Sequence, residues 1–125
     1  MSGQDASGHR IDFHDEPGRL TVVVGDTVIT ETDRAIVLME TGIPPVLYVP
    51  REDVAQEFLE KTAHQTHCPF KGDASYWTIR VGDRELQNAI WSYESPIEAA
   101  APIKGHMAFY SNMVDRYEAA HSVEN

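Results

Sequence analysis

The stretch HQTHCPFKGDASYWTIRVG, residues 64–82, decides how the rest of the chain is read. Its second half alternates, with Trp77, Ile79 and Val81 on one side and Tyr76, Thr78 and Arg80 on the other, the period of a half-buried strand. Gly82-Asp83 follows, a two-residue turn that suits antiparallel strands because glycine adopts positive φ without steric cost. Residues 84–93 then return as the partner strand. The loop length sets the register: Arg80 opposite Glu85, Ile79 opposite Leu86, Thr78 opposite Gln87 and Asn88 opposite Trp77. The other face collects Tyr76, Trp91 and Tyr93. The first half, from His64 to Gly72, reads as a loop punctuated by Cys68-Pro69 and Lys71-Gly72. It gathers rare side chains, among them the single cysteine and one of three lysines.

Working outward, the same Val-Gly-Asp turn joins LTVVV to TVITET, residues 20–24 and 27–32. This predicts a hairpin pairing Val22 with Ile29 and Val23 with Val28. Ile11 and Phe13 alternate as a short strand that stops at the turn cluster Asp15-Glu16-Pro17-Gly18. Ala35 to Met39 is apolar on both sides, the mark of a strand covered on both faces. Pro44 and Pro45 stiffen the connection to a strand from Val46 to Val49. After Pro50 the pattern turns helical: Glu52 and Asp53 load a first turn, and Val54, Ala55, Phe58 and Leu59 line one face up to about Lys61. Ser95-Pro96-Ile97-Glu98 reads as a capping box opening a helical turn to Ala101, stopped by Pro102. A turn at Lys104-Gly105 and a strand from His106 to Tyr110 follow. Met113, Val114 and Tyr117 then fit one helical face. The sum is a mainly β, antiparallel domain with two or three short helices over residues 10–119, flanked by a disordered tail at 1–9 and a frayed one at 120–125.

Composition narrows the function. The net charge of −10, ten Lys and Arg against twenty acids, argues against nucleic acid, whose phosphates demand a cationic surplus. It also argues against anionic membranes, and no apolar run reaches the roughly 20 residues of a spanning helix. The polar start, MSGQDASGHR, has no secretion signal, and a single cysteine suits a reducing compartment, so a soluble cytoplasmic protein is expected.

Four strings carry a family resemblance: RAIVLMETGIPPVLYVPREDV, HCPFKGDASYWTIRVGD, NAIWSY and APIKGHMAFY, which together fall between Arg34 and Tyr110. They closely resemble the domain of unknown function 427 (DUF427) family, sometimes filed as nucleotidyltransferase-like. The resemblance implies a β-tent (Mss4-like) fold, in which antiparallel sheets lean together at an angle. β-tent relatives usually hold zinc through four cysteines, a site this chain cannot build with one. The nucleotidyltransferase label finds no motif here, neither a Gly-Ser pair with following aspartates nor a phosphate loop. The resemblance therefore implies a fold and leaves function to the site.

The candidate residues are Cys68, Lys71, Arg51, Trp77, Asn88, Trp91 and Lys104. Cys68, beside His67 and near Lys71, is a candidate nucleophile because positive neighbours stabilise a thiolate, with a small buried thiol as the plain alternative. His64, His67 and Cys68, with His14, are weighed as zinc ligands and set aside because paired spacing is absent, so no metal and no cofactor is expected. Lys71 and Lys104, each before glycine, form with Arg51 a cationic spot suited to a carboxylate or phosphate; alternatively Lys71 ties its loop down through Glu40 or Asp73. Trp77, Asn88 and Trp91 are expected to wall the pocket, with Tyr48, Tyr76 and Tyr93 mostly core. The expected function is binding of a small molecule, with an anion as the candidate the cationic spot suits, in an aromatic-walled pocket. The alternative is an enzyme acting on a small metabolite through Cys68 or Lys71.

Overall fold

The computed structural model of the protein describes residues 3–4 and 8–119. In chain order the strands are β1 (Gly3–Gln4), β2 (Arg10–Asp15), β3 (Leu20–Val24), β4 (Thr27–Thr32), β5 (Ile36–Glu40) and β6 (Val46–Tyr48). They continue with β7 (Leu59–Cys68), β8 (Gly72–Val81), β9 (Arg84–Ser92), β10 (Met107–Phe109) and β11 (Arg116–Ala119). The chain is mainly β, as expected. All pairings are antiparallel, in sheets ordered β1-β2-β5-β6, β10-β9-β8-β7 and β11-β3-β4. Edge strands β6 and β10 meet through the pair Val49–Met107, whose two backbone bonds measure 2.8 and 2.7 Å. Of the expected tail, Gly3 and Gln4 pair with Ile11 and Arg10; its remaining residues up to 7, and those from 120, lie outside the described residues.

Two hydrophobic clusters divide the interior. The first holds Leu20, Val22, Ile29, Val37, Trp77 and Ile79 among others, and the second holds Ile11, Leu38, Tyr48, Tyr76, Tyr93 and Ile103. Strand β5 serves both, with Val37 in one cluster and Leu38 in the other. That is the covered strand its apolar run predicts. Successive residues of β8 do the same: Trp77 and Ile79 enter the first cluster, Tyr76 and Ala74 the second.

Both Val-Gly-Asp turns form, with Gly25 at φ 61° and Gly82 at φ 58°, the conformation only glycine adopts without strain. Their registers depart from the simple expectation a few residues in. Val23 faces Val28 as predicted, but Val22 faces Thr30 instead of Ile29 because a bulge intervenes. In the second hairpin Arg80–Glu85 and Ile79–Leu86 hold. Beyond them β9 bulges at Asn88, which has φ 54°, and Trp77 pairs with Ile90. Asn88 is therefore not opposite Trp77, and Thr78 does not pair with Gln87. The bulge is held by Thr62 Oγ1 donating to Asn88 Oδ1 at 2.7 Å and by the Asn88 N–H donating to Thr78 Oγ1 at 3.2 Å.

Four local expectations are corrected. Residues 50–61 form no amphipathic helix: 3-10 turns span Arg51–Asp53 and Gln56–Phe58, and β7 begins at Leu59. The edge of β4 recruits the backbone between the turns. Val54 is extended and bridges Thr30, and the Ala55 N–H donates to Ile29 O at 2.8 Å. Val54, Phe58 and Leu59 still reach the first cluster, so the stripe was real and its period was overridden by strand pairing. The expected loop from His64 is β7 as far as Cys68, leaving a turn at residues 69–71. Tyr117 lies on β11 paired with Val22, and Met113 and Val114 lie in the bend before it, not on a helix. The turn at Glu98–Ile103 does form, but as a 3-10 stretch running through Pro102 and without a side-chain cap.

Candidate functional site

Strand β8 begins at a turn closed by the Lys71 N–H donating to Cys68 O at 3.1 Å. That turn aims Lys71 inward, where its ammonium is buried and paired with Glu40 at the end of β5. His9 Nε2 lies 2.9 Å from the second Glu40 oxygen, and the His9 ring stacks on Phe70 with centroids 3.7 Å apart. Lys71 Nζ also sits 5.9 Å from the centre of the Tyr93 ring.

Lys71 forms part of a cavity of about 230 Å³, walled by Tyr48, Tyr76, Tyr93, Tyr110 and Trp91. Each wall comes from a different position in the folding pattern. Tyr48 ends the edge strand β6, Tyr76 and Trp91 are cross-strand partners on β8 and β9, and Tyr110 follows β10. Trp91 Nε1 donates to the Tyr48 hydroxyl at 3.1 Å, and the Trp91 and Tyr110 rings pack at 4.6 Å. Thr66 Oγ1 and the Tyr76 hydroxyl are 2.9 Å apart. Burial pushes the Tyr48 and Tyr93 phenols well above their ordinary range, and the neighbouring acids Glu40 and Cys68 add to it. Tyr110 is raised too, by burial and by its bond with Tyr76. The cavity thus presents neutral phenols beside an ammonium. Tyr48 already accepts from Trp91, so its own O–H is available to donate.

A second concavity of about 620 Å³ lies beside Arg34, Arg51, Glu52, Glu94, Lys104 and His106. Arg51 donates to Glu94 at 3.1 Å, Lys61 donates to the other Glu94 oxygen at 2.7 Å, and the Arg51 guanidinium lies 5.0 Å from the Trp77 ring centre. The Lys61 ammonium holds the Glu94 carboxyl below its ordinary value, against burial and with help from Arg51 and Ser75. The expected site residues therefore separate. Lys71 and Trp91 share the cavity; Arg51 and Lys104 share the cleft, with the buried Trp77 beneath Arg51. Trp77 and Trp91 cannot wall one pocket, because pairing Trp77 with Ile90 puts Trp91 on the opposite face of the hairpin. Asn88 lines neither concavity and serves the bulge.

Cys68 packs half-buried against the aromatic cluster. His67 is no base for it, since adjacent strand residues point to opposite faces and His67 Nδ1 is held by Asp73 at 2.7 Å. Lys71 Nζ is engaged by the Glu40 carboxylate. His64 packs edge-on to Tyr76 at 4.5 Å, and among the described residues no three His, Cys, Asp or Glu side chains converge on a metal position. No helix among the described residues is long and apolar enough to cross a membrane.

The sequence matches a family model described as a domain of unknown function (DUF427) over residues 12–120. The chain belongs to the DUF427 family. No curated protein matches it. The family match spans the residues of the Lys71 cavity and of the Arg51 cleft in this DUF427 domain. Sequence reasoning passed over Tyr110 and Arg34 and took Tyr48, Tyr76 and Tyr93 mostly for core. The usable signal was the placing of three of the five tyrosines, Tyr48, Tyr93 and Tyr110, at or just past strand ends, in a chain with only three lysines.

Proposed function

We propose that this DUF427 domain binds a small molecule through the Lys71 cavity, with an apolar body against Trp91 and the tyrosines and a hydrogen-bond acceptor, carbonyl or carboxylate, toward Lys71. The observation that carries the reading is the surplus of donors in an apolar setting. The Lys71 ammonium, answered by Glu40, and the Tyr48 hydroxyl, which accepts from Trp91 and keeps its own proton to donate, line a space of about 230 Å³ together with the Tyr93 ring. Donors with capacity to spare in low dielectric favour a ligand that accepts. The volume falls below the roughly 300–1,000 Å³ of drug-sized pockets, so the ligand is a small metabolite. A reducing cytoplasm is the compartment that suits a chain with one cysteine.

Native mass spectrometry of freshly purified protein tests the reading. A co-purifying small molecule is expected with wild-type protein and lost with Tyr48→Phe, which removes one donor and keeps the ring. An empty wild-type spectrum, together with a Trp91 indole NMR signal unmoved by a carboxylate and amide fragment library, would refute it.

A further inference from the structure

The cleft beside Arg51 and the cavity beside Lys71 occupy opposite faces of one hairpin, and the cleft has a chemistry of its own. Among the described residues, Arg34, Arg51 and Lys104 line it beside two carboxylates, Glu52 and Glu94, while Asp53 pairs with Arg34 and Lys61 with Glu94. On a chain of net charge −10 this is a locally cationic spot. Arg34 is taken up by Asp53 and Glu52, and Glu94 is shared by Arg51 and Lys61, which leaves Lys104 exposed and without an ion-pair partner among the described residues. Lys104 is held at the rim by a turn in which His106 Nδ1 lies 3.0 Å from Lys104 O, fixing that nitrogen as the donor.

One further donor belongs to the cleft wall: Arg51 Nε is fully shielded and has no hydrogen-bond partner among the described residues. Buried donors left open in a folded protein call for an acceptor, either water or a ligand atom. A cleft of about 620 Å³ lies within the size range of small-molecule sites.

We infer that this cleft is a second binding site, for an oxyanion-bearing small molecule whose phosphate or carboxylate group sits between Arg51 and Lys104. Arginine's planar fork and lysine's point charge together suit such a group. The inference is independent of the cavity, and the two tryptophans separate the sites, since Trp77 lies under Arg51 while Trp91 walls the cavity.

The test follows the two indole N–H signals of the full chain by NMR, assigned with Trp91→Phe, while inorganic phosphate or, separately, acetate replaces chloride at constant ionic strength. Saturable movement of the Trp77 signal with Trp91 still is expected, and Lys104→Ala should weaken it at least fivefold without changing the melting temperature. Whichever anion binds more tightly identifies the group. A Trp77 signal that does not move, or Lys104→Ala binding as wild type, overturns the inference. Movement of Trp91 alone also overturns it and leaves the cavity reading standing.

Discussion

The two faces of the β8–β9 hairpin handle positive charge in opposite ways. On one face Lys71 is buried, 8% exposed, and answered by a single carboxylate that is itself 7% exposed. On the other, Arg51 and Lys61 share Glu94 in partial solvent, and Lys104 stands clear. In low dielectric an ammonium must be matched to persist, whereas in water it need not be. The first arrangement is thus part of the fold and the second is a surface free to exchange partners. Position relative to the sheet, and not residue type, distinguishes the lysines that sequence reading grouped together.

Removing each lysine gives the widest contrast. Lys71→Met should cost up to about 3–5 kcal/mol in urea denaturation, because it leaves the buried Glu40 carboxylate with only the His9 ring beside it, and adding Glu40→Gln should restore most of that loss. Lys104→Ala should leave the denaturation midpoint in place. Equal effects at the two positions would dissolve the contrast.

The bulge at Asn88 supports both faces, since it is what sets Trp91 against Tyr76 and Ser92 against Ser75. Asn88→Ala loses the Thr62 bond and puts a poorer residue at φ 54°, for an expected cost of about 1–3 kcal/mol. Asn88→Gly should cost less, because glycine accepts that φ. If Ala and Gly behave alike, backbone strain is not what the asparagine relieves.

Alkali should act on the aromatic face. Tyr48 and Tyr93 have folded-state values raised above the unfolded value of about 10. Their contribution is complete below pH about 10 and declines above it, as the unfolded chain ionises first. Phenolate absorbance should therefore show these two hydroxyls ionising together with loss of the fold. Early, independent ionisation of all five tyrosines would contradict the burial.

Acid should act on the charged face, and least of all. Glu94 is lowered from 4.5 by Lys61 first, and Asp53 from 3.8 by Arg34. Groups lowered in the fold stabilise it above their unfolded values and lose that contribution as pH falls through the folded ones. The melting temperature should drop modestly below pH about 4.5, since these pairs are largely solvated. Glu94→Gln should flatten part of that slope.

Much of this architecture was legible in the residues, because alternation and two Val-Gly-Asp turns specify antiparallel hairpins with little ambiguity. The first pairs after the second turn, Arg80–Glu85 and Ile79–Leu86, follow directly. What eluded reading depends on contacts distant in sequence. Nothing local to Val54 announces that Thr30 will claim its backbone, and nothing in Leu86-Gln87-Asn88 announces that Thr62 will hold a bulge there. The candidate residues were found, but their grouping was not, since Asn88 was counted as a pocket wall on a register the bulge shifts.

The shift at Asn88 adds two residues to β9, three lying between the partners of Trp77 and Ile79 where β8 has one. An even number preserves inside and outside, while an odd one would turn every later side chain over. Homologous chains are thus free to lengthen or shorten this strand in pairs, sliding Trp91 and Ser92 along β8 by about 7 Å per pair at roughly 3.4 Å per residue. Deleting Gln87 and Asn88 together should yield a smooth ribbon that still folds with its apolar side inward, its two concavities resized and no longer aligned with their present donors.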